Sequence, residues 1–453
     1  MSALILISVL GALMLYLGIY GRKNLLAPAG IVGLLGAIAL LATGWHIPHG
    51  LLAGMLEFDR LATGFSIGMA AITALIFLFG PDYYQRKQWH VAEQYALMLF
   101  SLVGGILLAS WTNLLMLFLG VEVLSIPLYV LAGGKKRSLR SSEASLKYFL
   151  LGSFATAFLL MGITLLYGLT GSFDMGKLGA FMAAQAAPHM MLNFGLFFVV
   201  AGLAFKVGAV PFHFWKPDVY QGAPTLVTTF MATVVMMGAI AGFHRFTAVT
   251  GMPDALAHTM ALLVLATLLV GNLSALRQTN FKRLMAYSSV SHSGFLLLAL
   301  LSNGPTVGTT LLYYTFTYAL ASVGLFILFT VAKRANHGAE HNGIFKGLFA
   351  AKPWTALCAL VLLLSLAGIP LTAGFIAKYQ VFLLAIGAGW LKLMGFGVLM
   401  ALLGIYYYVM VARELFLPAE QPVTFSLAPL NGLAVALCTA AVLALGLWPH
   451  LPF

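Results

Sequence analysis

Residues 192–218 read LNFGLFFVVAGLAFKVGAVPFHFWKPD, an uncharged run followed by a lysine and then a proline. Its first fourteen residues carry no charge, so the segment is typical of a membrane-spanning helix. Lys206 follows that run, and Pro211 then predicts a break, because proline lacks a backbone N–H and clashes with the preceding turn. An ammonium group at this depth costs about 3 kcal/mol on insertion scales, so its presence indicates a function.

Composition excludes an ordinary soluble domain. Of the 453 residues, 61% are hydrophobic and 8% are charged, and the mean hydropathy is +0.99, whereas soluble domains carry about a quarter charged residues. The formal charge of +12 is spread over short segments between apolar runs, which favours membrane loops over nucleic-acid binding. Cys358 and Cys438 each lie alone in an apolar segment and are predicted to be packing residues.

Apolar runs near twenty residues predict helices, because a chain in lipid must satisfy its backbone internally. We therefore predict an all-α polytopic membrane protein with about fourteen transmembrane helices. The predicted spans are 3–20, 25–43, 61–80, 93–110, 112–132, 145–168, 190–216 with a break, 225–244, 256–274, 284–301, 307–332, 353–388 with a break, 391–413 and 428–448.

The lysines and arginines divide unevenly between the predicted loops. Odd-numbered loops hold eighteen of the 24, Lys216 and Lys282 among them, and even-numbered loops hold four. Since short cytoplasmic loops carry the basic excess, the odd-numbered loops are predicted to face the cytoplasm and both termini to face outward. The remaining two, Lys206 and Lys378, lie inside predicted helices.

Three ionisable residues are predicted to lie deep in the membrane: Glu122 in helix 5, Lys206 in helix 7 and Lys378 in helix 12. Two interpretations stay open. One is a fixed ion pair between Glu122 and Lys206 that only holds helices together, and the other is a path for protons or ions. Lys378 favours the path, since no acidic residue remains in the membrane to neutralise it. A buried lysine without a counter-charge releases and rebinds a proton readily.

Each buried lysine lies near a proline that is flanked by glycine. Lys206 precedes GAVPFHFWKP and Lys378 follows LAGIPLTAGFIA, and irregular backbone at membrane depth typically lines a cavity. The breaks are five helices apart in helices of opposite direction, so helices 4–8 and 9–13 are predicted to form two inverted five-helix repeats. The predicted units are a three-helix segment at 1–92, the repeats at 93–245 and 246–415, and helix 14 in 416–453.

Other polar groups carry less weight. His292, in LMAYSSVSHSGFLLL of predicted helix 10, either relays protons or is a satisfied packing histidine. The sequence contains no nucleotide-binding loop, no haem or iron–sulfur ligand set and no nucleophile constellation. The energy that drives transport must therefore come from another subunit or from an ion gradient.

Five further stretches of the sequence carry a resemblance to a known family: LGVEVLSIPLYVLAG, SSEASLKYFLLGSFATAFLLMGITLLYGLTGS, FKVGAVPFHFWKPDVYQGAP, GNLSALRQTNFKRLMAYSSVSHSGF and LSLAGIPLTAGFIAKYQVF. They resemble subunit N of bacterial respiratory complex I, the NADH-quinone oxidoreductase. The similarity runs from about residue 55 to about residue 415. The broken helices are shared with other antiporter-like subunits and with Mrp cation/proton antiporters, whereas the KYFLLGSF and FHFWKPDVYQGAP stretches point to subunit N.

The resemblance implies fourteen helices with two inverted repeats and assigns roles to the buried charges. In that family a helix 5 glutamate and a helix 7 lysine form a coupled pair, and a helix 12 lysine lies on the outward side. Glu122, Lys206 and Lys378 occupy those positions in this sequence.

One position departs from the family pattern. The family has a lysine midway along helix 8 that bridges the repeats, and the matching stretch TTFMATVVMMGAIAGF has Met236 there. A thioether cannot carry a proton, so either water bridges the gap, or His244 or His292 substitutes, or the subunit conducts poorly. His244 is eight residues further along, or about 12 Å at helical rise, which is too far for direct replacement.

These features predict a proton-translocating membrane-arm subunit of NADH-quinone oxidoreductase in a bacterial inner membrane. No cofactor is expected in this chain, and the resemblance implies NADH, FMN, iron–sulfur clusters and quinone on partner subunits. The expected partners are the other antiporter-like and small hydrophobic membrane-arm subunits, together with the lipid bilayer. Two alternatives stay open: a Mrp-type antiporter subunit that carries sodium, and a structural subunit that no longer conducts.

Overall fold

The computed structural model describes residues 2–45, 49–84, 91–184, 190–302, 304–419 and 425–449. In these ranges the chain forms nineteen α-helices, one short 3-10 helix (Asn342–Phe345) and one antiparallel hairpin of two strands, β1 (His49–Leu51) and β2 (Leu56–Phe58). The helices are α1 (Ser2–Ile19), α2 (Lys23–Thr43), α3 (Arg60–Tyr84), α4 (Val91–Ser110), α5 (Leu114–Ala132), α6 (Leu139–Thr170), α7 (Met175–Ala184), α8 (Met190–Val207), α9 (Trp215–Gly222), α10 (Thr225–Ala232), α11 (Val234–Thr250), α12 (Asp254–Leu276), α13 (Phe281–Leu301), α14 (Val307–Ala335), α15 (Leu348–Ala351), α16 (Pro353–Ala367), α17 (Ala373–Gly387), α18 (Leu391–Glu414) and α19 (Pro429–Leu447).

The membrane-spanning segments agree with the sequence prediction. Thirteen segments of the described chain are long and apolar enough to cross a membrane, with α10 and α11 counted as one. The shorter apolar helices α16 and α17 together form one more span, predicted helix 12, which brings the total to fourteen. Predicted helix 7 is also broken and consists of α8 followed by α9. The predicted fourteen helices, with breaks in helices 7 and 12, are therefore confirmed.

Predicted helix 8 differs from the prediction in two ways. It extends to Thr250 and is interrupted at Thr233, where φ is −114° and ψ is −80°. The Thr233 hydroxyl donates to the Thr229 carbonyl at 2.7 Å, and such bonds from a threonine to the preceding turn often bend helices. The interruption lies just before Met236, so the first turn of α11 begins in the bundle interior.

The loops that follow even-numbered spans meet at one end of the bundle. Leu56 of the hairpin pairs with Trp111, and Asn113 pairs with Asp174. Arg245 reaches the same region and forms an ion pair of 2.6 Å with Asp59. We refer to this region as the opposite end, because it lies across the bundle from the lysine- and arginine-rich end described next.

The loops that follow odd-numbered spans meet at the other end, which we call the basic end. Asn280 pairs with His341 there, and Arg334 donates to Asp82 at 2.5 Å. Even and odd loops therefore alternate between two ends, as the fourteen-span count requires.

Each of the two repeats contains a close helix–helix crossing of the same kind. A Cβ atom at Gly104 in α4 would lie 2.1 Å from the Leu124 amide nitrogen in α5. A Cβ atom at Gly271 in α12 would lie 2.6 Å from the Ser291 amide nitrogen in α13. Glycine allows close backbone approach at membrane helix crossings, and the same close crossing recurs in the first two helices of each repeat.

Two lysines that the loop count assigned to the cytoplasmic loops are buried instead. Lys282 lies in the first turn of α13 and donates to the carbonyls of Gln221 at 3.1 Å and Ala223 at 2.7 Å. Lys216 lies in the first turn of α9, in the bundle interior. The loop count was wrong here because both lysines lie at the start of a helix and donate to backbone carbonyls inside the bundle. Two residues of the same count lie outside the described ranges: Arg86 and Lys87.

Candidate functional site

The first break separates α8 from α9. α8 ends at Val207, and Gly208 then adopts a φ of +70°, so the last carbonyls of α8 have no partner within the helix. Trp215 Nε1 donates to the Phe205 carbonyl at 3.0 Å, and Lys216 Nζ donates to the Val207 carbonyl at 2.7 Å. Side chains from the start of α9 therefore cap the end of α8.

The second break is capped in the same way. α16 ends at Ala367, and Gly368 adopts a φ of +82°. Lys378 Nζ, from α17, donates to the carbonyls of Ala367 at 2.8 Å and Leu366 at 3.2 Å. Lys378 is 6% exposed. Because it donates to the last carbonyls of α16, its ammonium group lies against the negative end of a helix instead of a carboxylate.

Lys206 lies in the last turn of α8 and is 3% exposed. Its Nζ donates to Ser125 Oγ at 2.7 Å and to Tyr129 Oη at 3.4 Å. Glu122, half-buried one turn before Ser125, instead accepts a hydrogen bond of 2.6 Å from Thr156. No ion pair joins Glu122 and Lys206 in the described part of the chain, although the glutamate charge acts on the lysine through space.

His292 lies in α13 and is held by two tyrosines. Its Nδ1 is 2.9 Å from Tyr314 Oη, and its Nε2 is 3.3 Å from Tyr408 Oη. The charges of Lys378 and Lys216 both act on the ring. His292 therefore joins a polar cluster that reaches both helix breaks.

His244 lies apart from these groups. It is in α11 near the opposite end, where its Nε2 would be 2.8 Å from a Cβ atom at Gly308. The neighbouring Arg245 is paired with Asp59 of that end. The structure therefore leaves His244 outside the polar cluster. This agrees with its helical distance from Met236, which is too long for direct replacement.

Lys216 is a member of the cluster that the sequence analysis missed. It is 2% exposed, and its Nζ donates to Ser289 Oγ at 3.0 Å and to Ser293 Oγ at 3.3 Å. Its Nζ also lies 4.0 Å from Met236 Sδ. These contacts connect the first repeat, which carries Lys216, with α13 of the second repeat.

A signal for Lys216 was present in the sequence. Lys216 follows the glycine of its break, Gly208, by eight residues, and Lys378 follows Gly368 by ten. A Cβ atom would lie 2.5 Å from the lysine Cδ at the first break and 2.8 Å from it at the second. A search for a lysine eight to ten residues after the glycine of each break would have marked both lysines.

Several buried hydroxyls surround Ser289 without well-formed hydrogen bonds. Tyr220 Oη and Tyr318 Oη lack a partner within hydrogen-bonding geometry, and both lie beside Ser289. Ser322 Oγ, next to Tyr318, is also unsatisfied. Buried polar atoms of this kind are commonly bridged by water, so the region around Ser289 is suited to hydration.

The described residues offer no centre for a bound metal ion. Within the described ranges, no group of three or more His, Cys, Asp or Glu side chains is arranged to hold one. The cluster itself consists of lysines, a histidine and hydroxyls, which are groups able to exchange protons.

Comparison with known proteins is consistent across the whole chain. Residues 112–404 match the family model described as NADH:quinone oxidoreductase/Mrp antiporter, TM. Subunit N of the NADH-quinone oxidoreductase from Cytophaga hutchinsonii is 38% identical over 456 residues, which cover 100% of this chain and 98% of that relative.

Solved structures have the same fold. A chain of respiratory complex I from Thermus thermophilus with bound aureothin is 33% identical, with a TM-score of 0.85 and coverage of 99% of this chain and 98% of that one. A chain of the Mrp complex from Dietzia sp. DQ12-45-1b has a TM-score of 0.85 at 21% identity, over 99% of this chain and 95% of that one, and shares the fold. By sequence identity, coverage and structure, the chain belongs to the family of subunit N of NADH-quinone oxidoreductase.

Proposed function

We propose that this subunit carries protons across a bacterial inner membrane as part of NADH-quinone oxidoreductase. The single observation that supports this most strongly is the buried polar cluster that links the two helix breaks, with Lys206 near the first, Lys378 at the second and His292 between them. Ionisable groups inside a membrane bundle are costly and typically mark ion or proton paths.

The second repeat offers a route between the two ends. A cavity of about 430 Å³ at the basic end is lined by Tyr407. The ring centroid of Tyr407 is 4.7 Å from that of Tyr408. Tyr408 contacts His292, and the charge of Lys378 acts on His292. The two tyrosine contacts, together with the charge effect of Lys378 on His292, support a proton path from the basic end toward Lys378.

A second cavity supports release at the opposite end. It has a volume of about 660 Å³ and is lined by Gln380, two residues after Lys378. The Gln380 Oε1 atom is buried without a hydrogen-bond partner among the described residues. A water molecule bound there would extend the path from the lysine to the cavity.

The proposed coupling is electrostatic. Glu122 acts on Lys206 through space, and Ser125 lies between them. A charge or conformational change in a neighbouring subunit that moves the glutamate would favour release of the Lys206 proton. That proton would pass through hydroxyls and water toward Lys378. The neutral Lys206 amine would then take up a new proton from the basic end.

The proposal also assigns the surroundings of the subunit. The basic end would face the cytoplasm and both termini would lie on the outer side, as the excess of lysine and arginine in odd-numbered loops suggests. NADH, FMN, the iron–sulfur clusters and quinone would bind to partner subunits. Other membrane-arm subunits would also be partners of this chain. Redox energy would then reach this chain only through its contacts with those partners.

The test is proton pumping per NADH oxidised, measured with the intact complex in sealed vesicles. Lys206→Ala is expected to reduce pumping severalfold, because it removes the buried ammonium group. Lys392→Ala is the matched control, since Lys392 is exposed at the opposite end, and it should pump normally. Unchanged pumping in Lys206→Ala would reject the role of the cluster, and flux that requires sodium would favour the Mrp-type alternative.

A further inference from the structure

Lys216 is buried without a counter-charge. Its Nζ contacts the Val207 carbonyl and two serine hydroxyls, from Ser289 and Ser293. In the described ranges no carboxylate forms an ion pair with it. A carbonyl alone would be capped equally well by a neutral donor, so the burial of a cation here calls for a further reason.

The position of this ammonium group is specific. Val207, which it caps, is the residue after Lys206, so Lys216 touches the end of the helix that carries the first buried lysine. Ser289 and Ser293 are on α13, three residues before and one residue after His292. Among the ionisable side chains that the structure describes, Lys216 is thus the one whose hydrogen bonds reach from α8 of the first repeat to α13 of the second.

Met236 identifies what this position replaces. Its Sδ lies 4.0 Å from Lys216 Nζ, and it also lies 3.7 Å from Ser289 Oγ and 3.9 Å from Ser293 Oγ. A lysine side chain at residue 236 would extend two bonds beyond the δ atom. Two single bonds span about 2.5 Å, so its ammonium group would enter the space between Met236 Sδ and the Lys216 ammonium group, beside the same two serine hydroxyls.

We infer that Lys216 is the proton-carrying group that connects the two repeats and that it replaces the lysine missing at Met236. This inference rests on the proposed proton path. In each transfer the Lys216 ammonium releases one proton to the Ser289 and Ser293 hydroxyls or to water beside them, and these pass one proton on toward His292. The neutral Lys216 amine then receives one proton from the Lys206 side, so the site returns to its starting charge.

The competing role is a structural cap, and Lys216→Arg separates the two. Arginine keeps the charge and the donors for the Val207 carbonyl, but it does not release its proton at any accessible pH. Lys282→Arg is the matched control, because Lys282 is also buried and also donates to backbone carbonyls, those of Gln221 and Ala223. A cap tolerates arginine at both positions.

The experiment uses the intact complex in sealed vesicles, with proton pumping per NADH as the readout. Lys216→Met and Lys216→Arg are expected to lower pumping by about a hundredfold or more, the lower end of the range for a lost proton-transfer group. Lys282→Arg should pump normally. The exchange variant Lys216→Met with Met236→Lys should recover at least half of normal pumping, because it returns an ammonium group to the same site.

The outcomes distinguish this inference from the proposed function. If Lys216→Arg pumps normally while Lys206→Ala does not, Lys216 is only a cap and the path through Lys206 stands. If Lys206→Ala also pumps normally, the proposed function itself fails. Native gels report the amount of assembled complex, and an exchange variant that assembles in normal amount but does not pump would overturn the inference even if the single variants fail to assemble.

Discussion

The substitution Gly208→Ala tests whether the first break is shaped around Lys216. Gly208 has a φ of +70°, and a Cβ atom there would lie 2.5 Å from Lys216 Cδ. Gly171, after the end of α6, has a φ of +63°, and a Cβ atom there would meet nothing within 4 Å. Both substitutions force an L-residue into the left-handed region at about 1–2 kcal/mol, so their difference isolates the displacement of the lysine.

The magnitude follows from the contacts of Lys216. Its side chain must retreat by about 1 Å to reach an ordinary carbon–carbon separation. That movement breaks the 2.7 Å hydrogen bond to the Val207 carbonyl, and a hydrogen bond to a charged group contributes about 1.5–3 kcal/mol. Gly208→Ala is therefore expected to destabilise the subunit by about 2.5–5 kcal/mol, against about 1–2 kcal/mol for Gly171→Ala.

The assay heats the purified complex and follows the fraction that remains assembled on native gels. Proton pumping per NADH is measured in vesicles before heating. We expect the Gly208→Ala complex to dissociate at a lower temperature than the Gly171→Ala complex and to pump fewer protons. Equal dissociation temperatures and equal pumping in the two variants would refute the idea that the break is built around the lysine.

Two further predictions use the same heating assay. Gly104→Ala would bring a Cβ atom within 2.1 Å of backbone and should cost about 3 kcal/mol or more, whereas Gly395→Ala, with nothing within 4 Å, should stabilise α18 by up to about 1 kcal/mol. Burial raises the pKa of Glu340, but the charges of Lys282 and Lys333 outweigh this effect and hold the pKa below its ordinary 4.5. The carboxylate therefore stabilises the fold above pH 4.5 and ceases to do so as pH falls through its lowered pKa, so Glu340→Gln should lower the dissociation temperature at neutral pH and have less effect in acid. A difference that does not change with pH would contradict this account.

Much of the fold could be predicted because lipid leaves a chain few choices. Apolar runs near twenty residues identify the spans, and a glycine near a proline identifies each break. A lysine inside an uncharged run is visible without any structure, which is why Lys206 and Lys378 were found. Both are buried as predicted, at 3% and 6% exposure.

Lys216 could not be found by the same reasoning. Its position after the break resembles a helix end, where lysine side chains usually extend toward water. Here α9 begins inside the bundle, and the carbonyl at the end of α8 accepts a hydrogen bond from the lysine. Its serine contacts come from residues 73 and 77 positions away, and no local pattern reports contacts over such separations. Tertiary structure therefore decides the direction of this side chain.

The geometry also bears on the two interpretations of the buried charges. A fixed ion pair that only holds helices together requires a direct contact between Glu122 and Lys206. Glu122 instead accepts a hydrogen bond from Thr156, while Lys206 donates to Ser125 and Tyr129. Because the glutamate acts on the lysine only through space, a movement of the Glu122 side chain changes their interaction without breaking an ion pair. That arrangement suits a group whose protonation must respond to a neighbouring subunit, and it gives the helices little adhesion.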